Sequence, residues 1–285
     1  MISLKKVIIT ILTLSYVGVS YADEIIKSSN GNSVIFSQEI KSENHDPNSW
    51  GRVTFIQNNK PSIISQKDRY YIEDGTSKAS PSGNYLVINS VSGGYIVQPD
   101  GTKKYTDRAY CSVVDMKNGC VVSDWDGEAC DYSWKVDQDV LSASEDKDAD
   151  SFDFLSMKPF IDKVTNPLSS LSTYEINNLL RCDVPNKTNI NRYQSLLKEN
   201  ALAGILISAN LVDYLNRLET TISLNNKTYL YSDSSERSKT NSYLISGDKV
   251  KVIQKSVDKQ WINVGYVNQK GAPLITWIKN SDLKS

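Results

Sequence analysis

Short runs of β-branched and aromatic residues follow one another through the first half of the chain. They lie at residues 33–36, 52–56, 85–88 and 94–97. Clusters of Gly, Pro, Asn and Asp separate the runs, as is typical of strands joined by tight turns. The pattern predicts an all-β domain over residues 23–155, sandwich-like or blade-like in form.

The spacing of apolar residues changes to a helical period over residues 156–222. Ser172 and Glu175 have the spacing of a capping box, and apolar residues then recur on one face. A second helical stretch covers residues 190–218. We expect these helices to pack on the β domain, with an amphipathic surface for a partner as the alternative.

Five short strand patterns follow in residues 223–285. They occupy residues 228–231, 243–245, 249–253, 261–266 and 274–278. Five strands at this spacing predict a small barrel. The fold class is therefore predicted to be mainly β with a helical insert, in an α+β chain of several domains.

This last segment resembles the bacterial SH3-like (SH3b) family. The similarity lies in YLISGDKVKVI at residues 243–253, WINV at residues 261–264 and TWIKNSDL at residues 276–283. The resemblance implies a non-catalytic module that attaches to peptidoglycan or to peptides. The aromatic residues it places on a ligand-binding face are Tyr229, Tyr231, Trp261 and Trp277. Alternatively, the two tryptophans fill the core of the barrel.

Residues 1–22 have the pattern of a secretory signal peptide. Two lysines precede thirteen mostly apolar residues, and Ser-Tyr-Ala ends the segment at Ala22. The apolar run rises only about 20 Å as a helix, which is short of the membrane core. We expect cleavage after Ala22 and a periplasmic or secreted protein, with no membrane span after residue 22.

Export changes how the four cysteines are interpreted, because an even number in an oxidising compartment favours disulfides. They are Cys111, Cys120, Cys130 and Cys182. A two-residue turn at Asn118–Gly119 would place Cys111 opposite Asp126, near Cys130, and leave Cys120 to reach Cys182. All three pairings stay open at this point. The absence of any C-x-x-C pair argues against a zinc site.

The composition offers few of the side chains that catalytic sites commonly use. His45 is the one histidine in the 285 residues, and it precedes every cysteine. Cysteine-peptidase, zinc-hydrolase and serine-hydrolase sites are therefore disfavoured, whereas a pair of carboxylates remains conceivable. We expect a protein that is not an enzyme and that binds no metal or cofactor. The formal net charge of -1 argues against nucleic-acid binding.

Acidic residues are concentrated between positions 124 and 153. The residues we assign to an acidic docking face are Asp124, Asp126, Asp146, Asp148 and Asp150. Such a face would speed association with a basic protein. A solvated linker is the simpler interpretation of the same residues.

Two functional hypotheses follow. The first is a periplasmic binding protein whose SH3-like domain engages a cell-wall peptide, a glycan or a protein partner. The second is an immunity protein that neutralises a wall- or membrane-targeting toxin. The sequence features suit both hypotheses, and we favour the first.

Overall fold

The structure is a computed structural model that describes residues 23–41, 48–73, 75, 77–126, 132–142, 151–152, 154–157, 161, 171–197 and 201–283. Antiparallel sheets dominate these residues, and the three α-helices lie between the N-terminal and C-terminal strands. The prediction of a mainly β protein with a helical insert is confirmed. The predicted signal peptide at residues 1–22 lies outside the described residues.

The N-terminal region forms a nine-stranded sheet, in which seven strands follow the order β1-β2-β3-β5-β7-β8-β9. Strands β4 and β6 pair with β3 and β7. The strands are β1 (Glu24–Lys27), β2 (Ser33–Glu39), β3 (Ser49–Gln57), β4 (Lys60–Ile63), β5 (Tyr70–Ile72), β6 (Lys78–Ala79), β7 (Tyr85–Val97), β8 (Lys103–Asp115) and β9 (Cys120–Asp126). One core contains residues from β2, β3, β5, β7, β8 and β9, including Phe36, Phe55 and Ile88. The first and last strands of the sheet therefore enclose a common interior.

Strands β7 and β8 form one hairpin of two 13-residue strands. The sequence pattern predicted separate strands at residues 85–88 and 94–97, and this prediction is wrong. Residues 89–93 continue the ladder without a break, and pairs run from Tyr85 with Asp115 to Val97 with Lys103. The half of the hairpin nearest the core is buried, and the outer half is mostly exposed.

The β8–β9 turn differs from the predicted two-residue turn. Asp115 pairs with Cys120, so the connection has four residues, and Gly119 adopts a φ of +73°. The Asp115 carbonyl accepts a hydrogen bond from the Gly119 amide at 2.8 Å. The register of the ladder shifts between Val113 and Val114, and Cys111 therefore lies opposite Trp125. The predicted position was opposite Asp126, one residue further along the chain.

A disulfide joins Cys120 to Cys182, which confirms this part of the predicted cysteine arrangement. Cys111 is also disulfide-bonded. Cys130 lies outside the described residues. The covalent link fixes the end of helix α1 (Thr173–Cys182) to the start of β9.

Helix α1 also covers the edge of β9, the last strand of its sheet. The side-chain amide of Asn178 accepts a hydrogen bond from the Val121 amide at 2.8 Å and donates one to the Val121 carbonyl at 2.9 Å. Asn178 thus occupies the place of a neighbouring strand, which satisfies backbone groups that burial would otherwise leave unpaired. Ser172 and Glu175 form the capping box that the sequence predicted.

A smaller sheet packs on the outer face of the hairpin. Its strands are β10 (Ser133–Trp134), β11 (Leu141–Ser142) and β12 (Ser151–Phe152), and a 3-10 turn follows at Phe154–Met157. Leu141 and Phe154 join Val87, Val113 and the Cys120–Cys182 disulfide in a second apolar cluster. The central strands of the N-terminal sheet are therefore covered on both faces.

The C-terminal region forms a six-stranded antiparallel sheet with the order β13-β16-β17-β18-β14-β15. Its strands are β13 (Thr221–Ser223), β14 (Thr228–Tyr231), β15 (Lys239–Leu244), β16 (Lys249–Lys255), β17 (Trp261–Val267) and β18 (Pro273–Lys279). Leu230, Leu244, Val250, Val264 and Ile278 share one core. The five predicted strands are all present, and the short β13 adds a sixth.

Helices α2 (Ile190–Leu196) and α3 (Ala201–Arg217) cover half of the outer face of this sheet. Ile275 of β18 belongs to the helical core, and Leu215 of α3 packs so closely on Gly265 that a Cβ there would lie 2.0 Å from the leucine side chain. The Gln194 side chain also accepts a hydrogen bond from the Ile275 amide at 2.7 Å. The other half of this face carries the candidate site.

Candidate functional site

The four aromatic residues selected from the sequence lie together on the C-terminal sheet, beside the part that α2 and α3 cover. Tyr231 pairs with Trp277 across β14 and β18, and the Tyr231 and Trp261 rings meet edge-to-face at 4.7 Å. Tyr231, Trp261 and Trp277 are only 3%, 6% and 8% exposed, whereas Tyr229 packs at the border of the cluster. These three rings therefore do not form an open platform: the tryptophans are packed as in the alternative expectation, and Tyr231 is buried with them.

Lysine side chains surround this cluster and lie over its rings. The ammonium of Lys239 is 3.7 Å from the centre of the Tyr229 ring, and that of Lys227 is 4.0 Å from the centre of the Tyr243 ring. Lys279 lies 5.9 Å from the Trp261 ring. Aromatic rings attract cations through their electron-rich faces, so the rings hold these charges at fixed places.

We call this set of residues the aromatic–basic surface. It consists of Lys227, Tyr229, Tyr231, Lys239, Tyr243, Trp261, Trp277 and Lys279. Lys227 and Lys239 are exposed, so their ammonium groups remain accessible to a ligand.

A cleft of about 350 Å³ opens beside Trp261. Its lining residues are Glu236, Lys259, Gln260, Trp261, Lys279, Asn280 and Ser281. Glu236 accepts a hydrogen bond from Lys279 at 2.5 Å, and this contact raises the pKa of the Lys279 ammonium above its usual value. Lys279 therefore stays charged throughout the neutral range.

The backbone around the cleft is held by contacts distant in sequence. Lys259 has a φ of +58° at the tip of the β16–β17 turn, a conformation uncommon for a side chain other than Gly, Asn or Asp. Asn280 stabilises this turn, because its side chain donates to the Lys259 carbonyl at 3.0 Å and its amide to the Gln260 carbonyl at 2.8 Å. The turn and the chain end thus position Lys259 and Lys279 in one cleft.

Sequence reasoning identified the aromatic residues but missed the lysines. A usable signal was present, because alternate residues of a strand lie on the same face. Lys227 precedes Tyr229 by two residues, and Lys279 follows Trp277 by two. Lys239 could not be identified from this spacing, since it reaches Tyr229 only through the pairing of β14 with β15.

One residue of the predicted acidic docking face, Asp124, has a described side chain. Asp124 is bound inside the N-terminal region, where its two oxygens accept hydrogen bonds from Arg69 at 2.7 and 2.9 Å. Ser112 and Gln66 also donate to this carboxylate. Asp124 therefore offers little to a partner.

Asp126 ends β9. Asp146, Asp148 and Asp150 lie outside the described residues, as does His45.

No protein-family model, curated protein or solved structure matches this chain. The SH3b resemblance of residues 223–285 therefore stays a prediction. None of the helices in the described ranges combines the length and the apolar character needed to cross a membrane.

Proposed function

We propose that the protein is an exported, non-catalytic binding protein that holds a carboxylate-bearing peptide of the cell wall on its aromatic–basic surface. One observation carries this proposal: Lys227, Lys239 and Lys279 each lie over an aromatic ring of this surface, and Lys279 also lines the cleft beside Trp261. The cleft lining contains two lysines and one carboxylate. Its charge therefore favours an anionic ligand.

The chemistry of the surface suits a short peptide with free carboxylates. Lysine ammoniums donate charge-assisted hydrogen bonds to carboxylates, and aromatic edges pack against the aliphatic parts of a peptide. Peptidoglycan stem peptides combine both groups. The rings restrict the lysine side chains before the ligand arrives, which lowers the entropy lost on binding.

Two further features support export. The Cys120–Cys182 disulfide is typical of proteins from oxidising compartments. The sequence of residues 1–22 has the pattern of a secretory leader. The toxin-neutralising alternative has weaker support, because Asp124 of its acidic face is engaged with Arg69.

Co-sedimentation with purified peptidoglycan sacculi tests the proposal. The full chain, expressed with its own N-terminal segment, should pellet with sacculi, and added salt should weaken pelleting because exposed charges are screened. The double variant Lys239→Gln with Lys279→Gln should bind several-fold more weakly, since each exposed lysine–carboxylate pair contributes roughly 0.2–1 kcal/mol.

Lys270→Gln provides the matched control. Lys270 lies in the turn between β17 and β18 and is exposed. Its replacement removes one positive charge without changing the lysine–ring contacts that define the surface, so binding should stay near the level of the unmodified protein. A chain that never pellets would exclude the wall ligand and leave a protein partner. The control removes one charge and the double variant two, so an equal loss of binding free energy per charge removed would show that only net charge matters.

A further inference from the structure

The outer half of the β7–β8 hairpin projects beyond the rest of its sheet. Strand β7 last pairs with β5 at Val91, and β8 last pairs with β9 at Tyr110. Past these residues the two strands pair only with each other among the described strands. We call residues 92–108, which include the connecting turn, the arm.

The arm has specific contacts that order it. Tyr105 packs on Gly93 so closely that a Cβ at this glycine would lie 2.0 Å from the tyrosine oxygen. The Tyr95 and Tyr105 rings meet edge-to-face at 5.4 Å. At the turn, Gln98 donates its amide hydrogen to the Thr102 carbonyl at 2.8 Å. An isolated two-stranded ribbon is only marginally stable in water, and these contacts oppose its fraying.

Three adjacent apolar side chains of the arm face solvent. Tyr95, Ile96 and Val97 are 57%, 48% and 67% exposed. Ile96 and Val97 are stiff β-branched side chains. They have no charged end that would draw them into solvent. Tyr95 and Val97 lie on one face of the strand and Ile96 on the other, so both faces of the arm carry exposed apolar side chains along β7.

The two strands of the arm differ in charge. Residues 92–98 of β7 and the following turn read SGGYIVQ and carry no charge, whereas residues 103–108 of β8 read KKYTDR. Charged residues, lysine above all, are the usual protection of an exposed strand against pairing with another chain. The β8 side is protected in this way and the β7 side is not.

We propose that the β7 side of the arm pairs antiparallel with the β7 side of a second copy of this chain, about a two-fold axis at Ile96. In this register Ile96 faces Ile96 of the other copy, and Tyr95 faces Val97. All three exposed apolar side chains thereby gain apolar cross-strand neighbours, and aromatic with β-branched pairs are among the favourable ones. A register centred between Tyr95 and Ile96 would instead place Val97 opposite Gly94.

The proposed pairing joins two copies and does not continue to a third. Each β7 edge is used once, and the charged β8 strands form the two outer edges of the resulting four-stranded ribbon. A self-complementary interface of this kind gives a two-fold dimer and not a filament. The proposal is independent of the wall ligand, because the arm and the aromatic–basic surface belong to different sheets.

Sedimentation velocity of the full chain over a concentration series tests the dimer. We expect a reversible shift from monomer to twice the monomer mass. Ile96→Lys should raise the dissociation constant by at least about tenfold, since it places two like charges directly opposite each other. Thr106→Lys adds the same charge to the β8 strand of the arm and should leave dimerisation unchanged.

A cysteine at the proposed axis tests the register. Opposed residues of antiparallel strands lie close enough for a disulfide, so Ile96→Cys should give a covalent dimer on a non-reducing gel and Thr106→Cys should not. A chain that stays monomeric at every concentration would overturn the proposal. A dimer that survives Ile96→Lys unweakened, or that cross-links equally well through position 106, would overturn it too.

Discussion

The helices are attached to the two large sheets by different kinds of contact. Helix α1 is held on the edge of β9 by a disulfide, by the Asn178 amide and by Arg181, which donates to the Gly119 carbonyl at 3.1 Å. Helix α3 is held on the C-terminal sheet mainly by apolar packing, with Leu215 seated on Gly265. The N-terminal contact is thus covalent and polar, whereas the C-terminal contact depends on shape.

The sheets also use the same cation–ring contact for different purposes. Arg69 lies 3.6 Å from the centre of the Tyr110 ring, and its guanidinium is also paired with Asp124. Lys239 lies 3.7 Å from the Tyr229 ring and is exposed. A cation over a ring therefore does not identify a binding site by itself. Its exposure and the place of its counter-ion make the distinction.

Removing the covalent fastening should have the largest effect on stability. The double variant Cys120→Ala with Cys182→Ala frees a loop whose ends are 62 residues apart. Loop-closure entropy predicts a loss of about 4 kcal/mol in the free energy of unfolding. Urea denaturation under oxidising conditions measures it. A loss below about 1 kcal/mol would mean that the hydrogen bonds of α1 suffice to hold the helix on β9.

Adding a side chain at Gly265, where Leu215 of α3 packs on the C-terminal sheet, should have the second largest effect on the free energy of unfolding. Gly265→Ala would place a Cβ 2.0 Å from the Leu215 side chain, so either this side chain must repack or α3 must move away from β17. Overpacking of this kind costs about 1–3 kcal/mol. Thermal and urea unfolding of the full chain measure this loss.

Gly94→Ala is the matched control, because Gly94 also lies within a strand and a Cβ added there would meet no neighbouring atom within 4 Å. We expect its stability to change by less than about 0.5 kcal/mol. If the two variants unfold alike, the close packing of Leu215 on Gly265 is not what fixes α3.

Local patterns were sufficient to predict much of the fold. The capping box at Ser172 and Glu175 depends on residues three apart, and the strand patterns depend on alternation within a few residues. Both were recovered. The hairpin favoured the Cys120–Cys182 pair but left all three pairings open, and the turn has four residues and not two.

Long-range contacts explain the failures. Gly93 and Gly94 resemble a break between two strands, but Tyr105 packs on Gly93 from the neighbouring strand and the ladder continues. The candidate site shows the same limit. Its aromatic residues could be named from the sequence, whereas the burial of Trp261 and Trp277 depends on Tyr231 and Tyr229 across the sheet.

Variants at the two cation–ring contacts, Arg69 on Tyr110 and Lys239 on Tyr229, should have the smallest effects on the free energy of unfolding. Asp124→Ala would leave the Arg69 guanidinium, whose side chain is 11% exposed, without its carboxylate partner. Since Asp124 is itself partly exposed, we expect a loss of about 2 kcal/mol, which chemical denaturation measures. Asp68→Ala removes an exposed carboxylate next to Arg69 in sequence and should cost less than about 0.5 kcal/mol.

Lys239→Ala completes the comparison in the C-terminal sheet. It removes the cation from Tyr229 at an exposed position, so the free energy of unfolding should fall by less than about 1 kcal/mol. Binding to sacculi should nevertheless weaken measurably if the proposed function holds, because this ammonium belongs to the surface that we propose binds the ligand. A Lys239→Ala protein that loses as much stability as Asp124→Ala, and no binding, would assign both cations the same structural role.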